Sequence, residues 1–107
     1  MLFRSALSML AWPHEAVLAH HAAHICTDET GAPGFFGQGV GLIGLPGMSG
    51  KIDKLALEAA LSEPVVGHRQ PPAAQSLTQS TEYGTVYTEE ELRHLIEPVK
   101  EIGRAHV

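Results

Sequence analysis

Short apolar runs alternate along the chain with segments whose apolar residues recur every three or four positions, a pattern that predicts strands interleaved with helices. Ala16-Val17-Leu18-Ala19 is brief, wholly apolar and bounded by polar residues, which suits a buried strand better than a helix. Val40-Gly41-Leu42-Ile43-Gly44-Leu45 reads as a second strand, stopped by the turn-forming stretch Pro46-Gly47-Met48-Ser49-Gly50. Ala73-Ala74-Gln75-Ser76-Leu77-Thr78 supplies a third, followed by a polar loop over residues 79–84. A helix tail over residues 6–11 ends at Trp12-Pro13, because the residue before a proline avoids the α region. Residues 20–24 read as a histidine-rich loop, and residues 31–39 suit either a short helix or an irregular connection.

Two later helices carry their own start signals. Asp53 is placed as an N-cap, with Ile52 and Leu57 as the hydrophobic staple around it, opening a helix that runs to about Leu61. Thr88 and Glu91 form a capping box, Tyr87 and Leu92 a second staple, and Leu92, Leu95, Ile96 and Val99 fall on one face. Pro98 lacks the amide that would bond to the His94 carbonyl, so this helix is expected to kink or finish there. Strands alternating with helices at these distances predict an α/β fold with a mainly parallel sheet flanked by helices. No internal repeat interrupts that reading.

Composition narrows the partners more than the fold. At 107 residues the chain has the size of one small domain, and its 12 acidic against 7 basic residues give a formal charge of -5. Without a Lys/Arg cluster it lacks the electrostatic footprint that nucleic acid requires. His, Pro and Gly interrupt every apolar run before it reaches the roughly 18 to 20 residues of a membrane span. The opening Met1 to Trp12 superficially suggests a signal peptide, but no convincing cleavage site follows, and the expectation is a soluble cytoplasmic protein. Cys26 is the single cysteine, with no partner for a disulfide or a paired-thiol metal site, and reads as a small buried hydrophobe.

Several motifs invite chemistry. Gly39-Val40-Gly41-Leu42-Ile43-Gly44 matches the dinucleotide pattern letter for letter, yet that pattern must open a helix, and here Pro46-Gly47 ends the segment at once. His20, His21 and His24 suggest a metal site only if they share a helix face, and in a strand end and loop that spacing loses its meaning. No metal is expected. The run from Ser76 to Glu82 either marks a site at the carboxyl end of a strand or is a loop whose hydroxyls bond locally to backbone, and the local chemistry favours the second. Glu89-Glu90-Glu91 is explained by the helix dipole, which favours carboxylates in a first turn.

Longer stretches resemble a known family. Glu15-Ala16-Val17-Leu18 leading to Ala22-Ala23-His24-Ile25, the turn Leu45-Pro46-Gly47 through Gly50-Lys51, and above all the block from Gln70 to Tyr87 resemble the low-specificity threonine aldolases of the β-eliminating lyases, within the fold-type I pyridoxal-phosphate enzymes. The resemblance covers nearly all of residues 6–100 and implies part of the large cofactor-binding domain of such an enzyme. It implies cleavage of L-threonine or L-allo-threonine to glycine and acetaldehyde, with pyridoxal 5'-phosphate as cofactor, a small β-hydroxy-α-amino acid as substrate and a homo-oligomeric parent. His24 matches the family histidine that stacks on the pyridine ring, and His68 one placed near the substrate's β-hydroxyl. Either could be the base. The family's Schiff-base lysine motif has no match, since Lys51, Lys54 and Lys100 lie in other contexts, so the chain as written is expected to be inactive.

Two alternatives stand beside this. A related pyridoxal-phosphate β-eliminating lyase or phenylserine-type aldolase would share cofactor and fold, and a non-catalytic binding or interaction module would share only the fold. The ends, Met1 to Ser5 and Glu101 to Val107, resemble translations of common sequencing adapters, which predicts that residues 6–100 are the biological part and that 1–5 and 101–107 are scars.

Overall fold

In the computed structural model, residues 9–27, 31, 34, 39–63, 70–101 and 105–106 are described. Five consecutive buried residues, Ala16–His20, form β1 at the heart of a parallel sheet. On one side β1 pairs with β2 (Gly41–Leu45), in register from Ala16 opposite Gly41 to His20 opposite Leu45. On the other it pairs with β3 (Pro72–Gln75), with a register shift between Ala16 and Val17. Outside β3 lies the short β4 (Ala105–His106), so the order is β2-β1-β3-β4.

The apolar run of β1 follows from this position. Successive strand residues point to opposite faces, and a central parallel strand is covered on both. Val17 and Ala19 pack with Ala11, Ile25, Val40 and Ala74 on one face, whereas Leu18 packs with Leu45, Ile52, Leu57, Tyr87, Leu95 and Val99 on the other. After β1 comes one helical turn, α1 (His24–Thr27). The second cluster is closed by α2 (Lys54–Ser62) and α3 (Glu89–Glu101).

Both predicted helix starts form as expected. The Asp53 carboxylate accepts from the Ala56 amide at 3.0 Å, and Ile52 and Leu57 are buried in one cluster. At the other start the Glu91 amide donates to Thr88 Oγ1 (3.1 Å) while Glu91 Oε1 accepts from the Thr88 amide (2.8 Å). At the amino end of the sheet, Gln70 Nε2 donates toward the carbonyls of Pro13, Glu15 and Gly39 at 2.9 to 3.2 Å, tying together the segments that enter β1 and β2.

Three boundaries differ from the sequence expectation. His20 is the last residue of β1 and His24 the first of α1, so the histidine-rich segment is a strand end and a helix start rather than a loop throughout. Pairing with Leu45 carries the ladder one residue past the apolar run. β3 ends at Gln75; the Ser76 amide makes one more bond, to the Leu18 carbonyl, and the chain then leaves the sheet for the loop held by Gln79 and Thr81. α3 does not finish at Pro98 but runs through it to Glu101. The missing amide costs one bond, and buried Leu95 and Val99 hold the helix in place on either side of it. The Leu95 carbonyl, in the turn before the proline, also accepts from Gln75 Nε2 at 3.1 Å. Most of residues 31–39 and half of the first predicted helix tail lie outside the described residues; Met9 and Leu10 are helical.

Candidate functional site

Open parallel sheets place ligands beyond the carboxyl ends of their strands, where helix-bound loops converge. Here the segments that follow β1, β2 and β3 meet around a narrow cleft of about 10 Å³, room for about one water, lined by His20, Ser76, Thr78, Thr81, Glu82 and Tyr83 among others.

The turn after β2 reaches the cleft because it has no side chains in the way. A Cβ at Gly47 would collide with the Lys51 carbonyl and lie 2.6 Å from the Asp53 amide nitrogen. Gly50 has φ 81°, the left-handed region that favours glycine, and a Cβ there would come within 2.7 Å of Tyr83 and 2.9 Å of Thr81. The loop after β3 is held from inside. Gln79 brackets Tyr87, accepting from its amide at 2.8 Å and donating to its carbonyl at 2.9 Å. Thr81 Oγ1 accepts from the amides of Tyr83 and Thr85 at 3.3 and 3.2 Å. The Thr85 hydroxyl donates to the Ser49 carbonyl, so the Thr81 hydroxyl supplies the proton shared between the two threonines. Local backbone bonding therefore accounts for Thr81 and Gln79, and the same loop lines the cleft.

Deeper in, Tyr87 joins turn to loop. Its hydroxyl accepts from the buried Ile52 amide at 2.9 Å, and burial pushes the phenol above its usual range. Lys51 Nζ lies 2.9 Å from Glu91 Oε1 and 5.9 Å from the centre of the Tyr87 ring. The Glu91 carboxyl is held below the usual glutamate value, first by the Thr88 amide and then by Lys51.

His24 is exposed at the first position of α1, with Nδ1 4.0 Å from Oε1 of Glu82, so it borders the cleft through that carboxylate. His68 lies outside the described residues. No lysine lines the cleft among the described residues. Lys51 is committed to Glu91, and Lys54 lies 3.7 Å from Glu58 on α2. Among the described residues, no group of three or more His, Cys, Asp or Glu gathers as a metal site would require. Cys26 is half-buried against the first cluster, and burial raises its thiol, which makes it a poor nucleophile. The sequence placed His20 only in a histidine group weighed for metal and gave no role to Tyr83; that His20 lines the cleft follows from its place at the end of β1.

Comparison with known proteins adds to this geometry. The β-eliminating lyase family model matches residues 4–107. Low-specificity L-threonine aldolases of Pseudomonas sp. (strain NCIMB 10558) and Pseudomonas aeruginosa are each 36% identical over 99 residues, which is 92% of this chain and 28% of theirs. The solved threonine aldolase of Leishmania major superposes with a TM-score of 0.89 at 33% identity, over 98% of this chain and 30% of that one. The chain thus spans less than a third of the length of these relatives.

Proposed function

The chain belongs to the β-eliminating lyase family, and on that premise we propose that it is a section of a pyridoxal-phosphate lyase that cleaves L-threonine or L-allo-threonine to glycine and acetaldehyde. What carries the reading is that the likeness to threonine aldolases runs through nearly the whole chain, including the loops that build the cleft as well as the strands beneath them.

The residues present suit one wall of a cofactor site. Hydroxyls of Ser76 and Thr78 and the Glu82 carboxylate supply polar partners, and the exposed imidazole of His24 offers a flat face at the cleft's border. A covalent attachment point is not among the described lining residues. Pyridoxal phosphate, where bound, supplies an electron sink for the charge left on Cα when the Cα–Cβ bond breaks. In this reading His24 stacks on the cofactor ring, and the imidazole of His24 or His68 takes the proton from the substrate's β-hydroxyl, as an imidazole can near neutral pH. The parent is proposed to be a cytoplasmic homo-oligomer. Exposed Met48, Tyr83 and Val86, carried on the two loops that Thr85 and Ser49 join, support assembly at this end of the sheet, and among the described residues no helix is long and apolar enough to cross a membrane.

The test is threonine-dependent acetaldehyde release, followed by coupled NADH oxidation with pyridoxal phosphate supplied. The complete parent should turn over, and His24→Ala in it should lose at least tenfold in kcat/KM. This chain alone should release none, because Lys51 and Lys54 are engaged elsewhere and Lys100 sits on α3. Turnover by the chain alone would refute its inactivity, and a parent inert toward β-hydroxy-α-amino acids would refute the assignment.

A further inference from the structure

We propose that His20 is a positioning residue: a neutral imidazole protonated at Nε2 alone, which clamps the loop leading to His24 onto the glycine turn that follows β2. Its consequence for catalysis rests on the lyase reading above, whereas the clamp stands on the geometry of this chain.

His20 ends β1 with its side chain buried, and a buried polar ring must find partners for both nitrogens. It does. The Ala22 amide lies 3.0 Å from Nδ1, and the Gly47 carbonyl lies 2.8 Å from Nε2. A backbone amide can only donate and a carbonyl can only accept, so Nδ1 is bare and Nε2 carries the proton. The partners determine this tautomer without any hydrogen having to be seen.

What the ring joins gives the bond its meaning. Gly47 belongs to the turn whose closeness to Lys51 and Asp53 excludes a side chain, so its carbonyl is a fixed anchor. Ala22 stands two residues before His24, the candidate ring-stacking residue, in a segment otherwise held by the His21 amide on the Leu45 carbonyl and the Ala23 amide on the His20 carbonyl. His20 therefore transmits the position of the turn to the loop that sets His24. The His21 ring stacks on it, centroids 4.5 Å apart and planes at 28°, and limits its rotation.

A proton on Nδ1 would face the Ala22 amide hydrogen and turn an attraction into a repulsion, so the Nε2–H tautomer is the one that both bonds allow.

Long-range 1H–15N correlation spectra of the imidazoles, with backbone amide spectra and hydrogen exchange of the same 15N-labelled chain, decide the matter without cofactor or substrate. Failure of the lyase reading would leave their outcome untouched. At neutral pH His20 should show the Nε2–H tautomer, and the Ala22 amide should be protected from exchange with solvent. In His20→Asn, whose Oδ1 can replace Nδ1 as acceptor, that protection should largely remain, whereas His20→Ala, which removes both bonds, should lose it while the sheet amides keep theirs. His21→Asn should retain it. An Nδ1–H tautomer in the unmodified chain, or an Ala22 amide indifferent to His20→Ala, would overturn the proposal.

Discussion

Tyr87 and Glu91 each make a measurable claim. The Tyr87 hydroxyl is the acceptor for the buried Ile52 amide. Tyr87→Phe keeps the ring and strands that donor, so unfolding in urea should show a loss of about 1 to 3 kcal/mol. A loss within about 0.5 kcal/mol, the usual range of surface substitutions, would mean that the bond contributes nothing. Glu91 makes a claim about pH. Its carboxyl is lowered in the folded chain by the Thr88 amide and by Lys51, so the folded state binds the glutamate proton less readily than the unfolded state does. Its stabilisation is therefore complete above the ordinary glutamate value of about 4.3 and is lost as pH falls through the lower folded value. Glu91→Gln should flatten that part of the acid-unfolding curve, and a curve of unchanged slope would show that the capping carboxylate is not coupled to folding. The capping box was legible in the sequence because both partners lie three residues apart. Tyr87 and Ile52 are 35 residues apart, and no local pattern announces their bond.

Among the elements, helix starts were the easiest to read. Asp53 caps α2 by a bond to a residue three positions on, a relation that is written in the local sequence. Asp53→Ala should cost about 0.5 to 2 kcal/mol in thermal or urea unfolding, whereas Asp53→Asn or Asp53→Ser should keep most of the stability. If all three behave alike, the cap does not hold the helix. Element ends were harder. The apolar run marks where β1 begins, but its last residue is His20, which pairing with β2 and the bonds to Ala22 and Gly47 hold in the strand. Pro98 signals a stop by its chemistry, yet α3 continues because Leu95 and Val99 are buried against the sheet. In both cases contacts distant in sequence outweighed a local preference.

For the molecule as a whole, the sheet carries both a prediction and the site. Among the described residues β2 stands at the edge of the sheet with most of its residues only half-buried, beside an apolar groove bordered by Leu42, Ile43 and Leu45 of β2 and by Ala56, Ala59 and Ala60 of α2. A parallel edge strand next to apolar surface invites pairing with other chains. The purified chain should therefore associate as its concentration rises, and sedimentation velocity would show this as a growing weight-average mass. A single monomeric species throughout would show that the edge is adequately protected. The cleft belongs to this scale too, since its lining comes from segments after three different strands and exists only once β1 lies between β2 and β3.

Alternation of apolar runs with capped helices was enough, from the sequence alone, to imply an α/β chain with a parallel sheet, and the block from Gln70 to Tyr87 was enough to suggest its family, because these are signals carried by neighbouring residues. Tertiary structure decided that His20 is buried in one tautomer, that Gly47 and Gly50 must lack side chains, that Lys51 is committed to Glu91, and that α3 passes its proline. Each of those depends on which distant segment comes to lie alongside, and that is set by strand order and packing rather than by any local run of residues.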